Sequence, residues 1–231
     1  MACWPRFCST RWTASSWRPR CCRPMWRVVA PEVGVPVVQF NRVSILGGWR
    51  ATPAARSRPT TTRAGQLVAR LLVERGYRRF GFLAGLEDSS TSIERERGYR
   101  DALRELGHDV ACRDVGHVRL RSGAGRRAAD VCRRSAGRAV CRHDHMAIAA
   151  LDVLRQELGL RVPEDVAVVG FDDVPQAAWG AYRLTTVRQQ VEPMVDATVD
   201  LLREQMQAEL RPRDIVVPCG LVERATVRAG P

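Results

Sequence analysis

Short apolar runs alternate along this chain with amphipathic helical stretches, and that alternation leaves few architectures open. Val35–Phe40, Arg79–Ala84 and Val166–Phe171 are rich in Val and Phe and have the length of buried strands. Between them, Thr62–Arg75 places Leu67, Val68, Leu71 and Leu72 on one stripe, with Thr61 or Thr62 positioned to cap it and Gly76 to end it. Ile93–Leu106 follows the polar loop Glu87–Ser92 and turns Tyr99, Ala102, Leu103 and Leu106 to one side before Gly107. From Asp144 to Gly159, Ala147, Ala150, Leu151, Leu154 and Leu158 recur at helical spacing. Leu184–Gln189 reads as extended. Val191, Met194, Val195, Thr198 and Leu202 then mark a helix reaching about Leu210, with Pro193 in the first turn, where its missing N–H costs little. Ile215–Val217 and Leu221–Glu223 read as two last strands. Strand, helix, strand, helix with short turns predicts an α/β fold of parallel sheets flanked by helices.

The charge does not follow that pattern. The chain has 231 residues and a formal charge of +12, and every one of its 37 basic residues is Arg. Residues 1–73 hold twelve Arg against the single acid Glu32, and 112–143 hold nine against Asp114 and Asp130; the rest of the chain is net acidic. A basic chain invites a nucleic-acid reading, because cationic side chains release counterions from phosphates. Here the regularly patterned segments are the acidic ones, and the arginine-rich ones lack a pattern. Five of the six Trp and four of the eight Cys also fall within the first 49 residues. Arg, Cys, Trp and Pro without periodicity are what a GC-rich gene yields out of frame. We therefore expect 1–34 to be an irregular basic segment and 47–62 and 112–143 to be aberrant, a divergent basic arm being the other reading. Gene sequencing with peptide mass spectrometry decides between them. A helix over Ser122–Arg134 is a weaker expectation, since its apolar residues form no clear stripe.

Several functional classes are excluded at this stage. No apolar run approaches the roughly 18 residues of a membrane span, and Met1–Met25 has no continuous apolar core of a secretory signal. The expected compartment is cytoplasmic and reducing, so free thiols are expected. No C-x-x-C pair occurs, and Cys132, Cys141, His143 and His145 match no common zinc spacing. No G-x-S-x-G, H-E-x-x-H or phosphate-loop signature appears, so neither an enzyme nor a cofactor is expected.

In parallel α/β sheets, ligands sit beyond the carboxyl ends of the strands. That places Asn41, Ser89, Thr91, Arg95, Asp172 and Gln189 around one cleft, with the region of His143 nearby. Arg and a carboxylate facing each other grip vicinal hydroxyls with paired hydrogen bonds, and Asn and Gln both donate and accept. This is chemistry for a sugar, a nucleoside or a similar polar molecule. Asp172 and Asp173 do not read as an acid–base pair, because neighbours on a strand face opposite ways. The plainer alternative pairs Arg95 with a Glu on its own helix and makes Asp172 the cap of a helix near Val174.

Three blocks carry a family resemblance: Thr62-Arg-Ala-Gly65 continuing through Leu71–Gly85, Ser89–Leu103, and Asp144–Leu151 with Val162–Asp173. With Leu184–Gln189 and Leu221–Thr226 they resemble the effector core of lactose/galactose-repressor (LacI/GalR) transcription regulators. The resemblance covers roughly 35–46, 62–111 and 144–228. It implies a periplasmic-binding-protein-like type I fold with two α/β subdomains joined by three crossings and an effector between them. It also implies a homodimer, and operator DNA reached through a helix-turn-helix domain ahead of the core. In family terms the chain starts near the last strand of the N-subdomain, so an incomplete N-subdomain and no helix-turn-helix are expected over 35–228. Carried across by position, Asn41, Ser89, Thr91, Arg95, Asp172 and Gln189 become effector contacts. His143 stands where the family's Ala-Asn-Asp has Asn. The alternatives are a periplasmic sugar-binding protein of a transporter and a non-functional frame-shifted fragment.

Overall fold

Two sheets organise the computed structural model, which describes residues 37–41, 55–84, 89–115, 138–141, 143–207 and 213–230. All the elements named here lie within the unit Val38–Pro231. The strands are β1 (Val38–Phe40), β2 (Ala55–Pro59), β3 (Phe80–Ala84), β4 (Val110–Val115), β5 (Arg138–Cys141), β6 (Ala167–Asp172), β7 (Thr185–Gln189), β8 (Asp214–Val217) and β9 (Cys219–Val222). The α-helices are α1 (Thr61–Glu74), α2 (Ser90–Glu105), α3 (Asp144–Asp152) and α4 (Val191–Gln207).

The larger sheet runs β4-β3-β5-β6-β7-β9, the smaller β1-β2-β8. Phe80 to Ala84 and Ala167 to Phe171 are buried at every position. A strand reads that way only when both sheet faces are covered. The two faces carry separate cores. Phe80, Phe82, Ala167, Val169 and Phe171 pack with α1 and α2 through Val68, Leu72, Tyr99 and Leu103. Leu83 and Val168 point the other way, into Met146, Ala147, Leu151 and Leu154 of α3 and its continuation. On the smaller sheet α4 buries Met194 and Leu201, and Ser57 Oγ donates to the Met194 carbonyl at 2.9 Å.

Among the described residues the chain crosses between the sheets three times: from β2 into α1, from β7 into α4, and from β8 into β9. The expected periplasmic-binding-protein-like α/β fold is thus present, with one departure from parallel pairing. β9 runs antiparallel to β7, because it follows the third crossing directly and has no helix in which to reverse.

Other departures have local causes. β2 lies inside the stretch 47–62, where no strand pattern is evident. Its buried residues are Ala55, Ser57 and Pro59, with Arg56 and Arg58 alternating, so the inward face is small rather than branched or aromatic. β4 and β5 enter the ends of 112–143 in parallel register with β3. The expected irregular segment 1–34 and the helix Ser122–Arg134 lie outside the described residues. The second helix begins at Ser90, three residues before the expected Ile93, because Ser90–Ser92 are buried in its first turn instead of forming a loop. The helix from Asp144 gives way to a π-turn over Val153–Glu157. Neither Thr61 nor Thr62 caps α1. The N-cap is Thr60, whose Oγ1 instead accepts the Cys219 N–H at 3.0 Å. Gly65 and Gly98 let α1 and α2 touch backbone to backbone: a Cβ at Gly98 would stand 2.0 Å from the Thr62 carbonyl oxygen.

Candidate functional site

Four neighbouring strands of the larger sheet deliver side chains to one edge. Beyond β3 come Ser89 and Thr91, beyond β5 His143, at the end of β6 Asp172, and at the end of β7 Gln189. Asn41 arrives from the opposite side, one residue past β1. Asn41, Thr91, Arg95, His143, Asp172, Gln189 and Val191 line a cavity of about 230 Å³.

Asp172 is its hub. Oδ2 lies 2.9 Å from His143 Nδ1, and Oδ1 accepts from Gln189 Nε2 and, at 3.5 Å, from Arg95 Nη2. Burial works to raise the Asp172 carboxyl, but the His143 hydrogen bond and the Arg95 charge outweigh it and hold the group below the usual carboxylate range. Arg95 is buried with its guanidinium 4.5 Å from the centre of the Phe171 ring, where the ring face favours a cation. Ser89 stands behind the lining, its hydroxyl 3.0 Å from that of Thr91. The buried Oδ1 of Asn41 has no hydrogen-bond partner among the described residues. That leaves an acceptor at the cleft for a donor from outside.

The backbone is unusual at the same places. Asn41, Asp172 and Asp173 have φ of +63°, +108° and +55°. Asn and Asp tolerate the left-handed region better than other residues with a Cβ, yet such conformations persist only where surrounding bonds impose them. Asp172 turns its carboxylate into the cleft, while Asp173 turns away to Arg188 at 2.6 Å and Arg224 at 2.7 Å. The two therefore do not form a carboxylate pair.

The plainer alternative for Arg95 and Asp172 is corrected. Arg95 meets Asp172 rather than a Glu of its own helix, and the Val174 N–H donates to Asp144, not to Asp172. Of the seven residues expected from sequence, six line the cavity and Ser89 supports one of them. Two contributors were not foreseen. Val191 supplies an apolar wall; its place beside Gln189 at a strand end was the available signal. Asp144 is buried behind His143, where an acid ahead of an apolar helix reads only as a cap. No cluster of metal-ligating side chains is present among the described residues.

A family profile described as a periplasmic binding protein-like domain matches residues 69–227. The chain belongs to that family. Among curated relatives of this family member, the transcriptional repressor PurR of Pectobacterium atrosepticum is 31% identical, covering 72% of this chain and 50% of the relative. The transcriptional regulator CelR of Thermobifida fusca is 36% identical, covering 77% and 48%. The chain thus spans about half the length of the curated relatives it matches. Among solved structures, a CelR–cellobiose complex superimposes with a TM-score of 0.77 at 28% identity, over 87% of this chain and 62% of that one. A LacI-family regulator from Enterococcus faecium with bound ribose shares the fold, with a TM-score of 0.76 at 18% identity over 89% and 76%. The PurR and CelR relatives are themselves transcriptional regulators, the class that the motifs resemble, and so favour that reading over a transporter's binding protein.

Proposed function

We propose that this chain is the effector-sensing core of a LacI-type transcriptional regulator, and that its cleft takes a sugar or a similar small polar ligand. The observation that carries the reading is the meeting of Arg95 and Asp172, from different elements, in a cavity otherwise lined by Asn41, Thr91, His143, Gln189 and Val191. Such a set binds and orients hydroxyls without making or breaking bonds, so the role is sensing rather than catalysis. In the whole regulator, ligand binding changes the angle between the two sheets and so alters operator affinity, a coupling between two sites. A cytoplasmic homodimer whose operator contacts come from a helix-turn-helix domain fits this role.

Titration calorimetry of the chain with cellobiose, D-ribose and D-glucose tests the reading. One of them is expected to bind, with affinity falling at least about tenfold in Asp172→Asn and in Thr91→Val, the loss of a hydrogen bond to a polar ligand. Binding by none of a wider carbohydrate panel, or equal binding by both variants, overturns it.

A further inference from the structure

We propose that Asp144 is the positioning residue of the cleft, latching the strand and the turn that carry Gln189 and Asp172 onto the helix start that carries His143. Asp144 is fully buried and does not line the cavity, so it acts only through other residues. Its Oδ1 accepts the Thr186 hydroxyl at 2.6 Å, and its Oδ2 accepts the Val174 N–H at 2.9 Å. Thr186 lies three residues before Gln189 on β7. Val174 lies two residues after Asp172, just past the positive-φ pair. His143 is the residue immediately before Asp144, and its ring is committed to Asp172 instead of capping the helix.

The surroundings are shaped around this carboxylate. A Cβ at Gly170 would stand 2.0 Å from Asp144 Oδ1, so β6 comes this close only because position 170 is glycine. Burial works against the charge and pushes the carboxyl up to about 7, although the bonds from Thr186 and Val174 pull it down. A buried acid is costly to keep unless its bonds are needed. Here those bonds join three segments, each of which ends in a residue of the cleft.

The inference rests on the cleft being the ligand site, and its test separates the two. Nitrogen-15 NMR of the chain reads the tautomer of His143, assigned with His143→Gln. In the wild type a proton is expected on Nδ1, facing Asp172. Asp144→Asn keeps both bonds, its oxygen taking the Val174 N–H and its amide donating to Thr186, so the tautomer is expected to survive. Asp144→Ala is expected to lose it. Leu154→Ala, which opens a cavity in the same core away from the cleft, is expected to keep it. Whichever of cellobiose, D-ribose and D-glucose binds the wild type should bind Asp144→Ala at least about tenfold more weakly, while Asp144→Asn restores binding. If none binds, the sugar reading fails, and the NMR result still decides the role of Asp144. If Asp144→Ala does not fold, Thr186→Val, which removes one arm of the latch, is read in its place. An unchanged His143 signature in the folded latch variants, or equal disturbance in Leu154→Ala, overturns the proposal.

Discussion

His143 and Asp172, 29 residues apart in sequence, meet with Nδ1 2.9 Å from a carboxylate oxygen, and this contact sets what the cleft presents to a ligand. The ionised carboxylate can only accept, so the shared proton belongs to Nδ1. Gln189 and Arg95 hold the other carboxylate oxygen, so the site is ordered before anything enters it. Preordered groups cost a ligand less to engage.

Removing the imidazole should therefore be felt through Asp172. Its folded pKa lies below the ordinary carboxylate value, so its stabilising contribution is present above about pH 4 and is lost as pH falls through the folded value. His143→Ala is expected to cost roughly 1.5–3 kcal/mol at pH 7, the range of a hydrogen bond to a charged group. The difference from wild type should narrow at pH 3. Urea unfolding at the two pH values measures this, and an equal gap at both would refute the linkage.

How far the site was legible from sequence depends on what each residue's signal was. β3 and β6 are continuous apolar runs because both their faces are covered, and such runs are visible without any structure. The strand-end rule then located Arg95 and Asp172, although 77 residues separate them. β2 was hidden because its inward residues are Ala, Ser and Pro, and the start of α2 because Ser90, Thr91 and Ser92 compete locally with helix. Asp144 was hidden for another reason. Its partners Thr186 and Val174 lie about thirty or more residues away, and local pattern carries no trace of such bonds. The orientation of β9 likewise follows from the route of the chain, not from its own four residues.

The α1–α2 contact makes a prediction opposite to helix propensity. Replacing a helical Gly by Ala ordinarily favours the helix by about 1 kcal/mol. At Gly65 and Gly98 the new Cβ would stand 2.2 Å from the Arg95 carbonyl oxygen and 2.0 Å from that of Thr62, both rigid backbone. The helices must separate, and Arg95 must shift with α2. Gly65→Ala and Gly98→Ala are each expected to destabilise by about 2 kcal/mol or more, in the range of overpacked sites. Gly65→Ala should also weaken ligand binding. A rise in the unfolding midpoint of either variant would show that the contact is not tight.

Arg95 makes a harder demand, since it is buried against Phe171 and pairs with Asp172. Truncating one member of a buried pair strands the other, at a typical cost of about 3–5 kcal/mol. Asp172 is partly open to solvent and keeps His143 and Gln189, so a cost below that range, about 2–3 kcal/mol, is expected for Arg95→Ala. The double variant Arg95→Ala with Asp172→Asn should be less destabilised than the sum of the singles. Strict additivity in a double-mutant cycle would mean that the two side chains do not interact.

The carboxyl of Asp144 gives the clearest pH signature. Burial, the dominant cause, pushes it up to about 7, while in the unfolded chain it titrates near the ordinary value of about 4. Between those values the folded state holds a proton that the unfolded state has released. Stability from this group is therefore greatest below about pH 4, declines as pH rises, and levels off above about pH 7. The loss is on the order of a few kcal/mol at a site this deeply buried. Asp144→Asn retains both hydrogen bonds and cannot ionise, so it should gain on the wild type progressively across that window. Thermal or urea unfolding of both proteins at half-unit steps from pH 4 to 8 isolates the effect, because every other ionisable group is common to the two. A gap that stays constant with pH would mean that Asp144 is ionised throughout, and one that shrinks as pH rises would reverse the sign argued here.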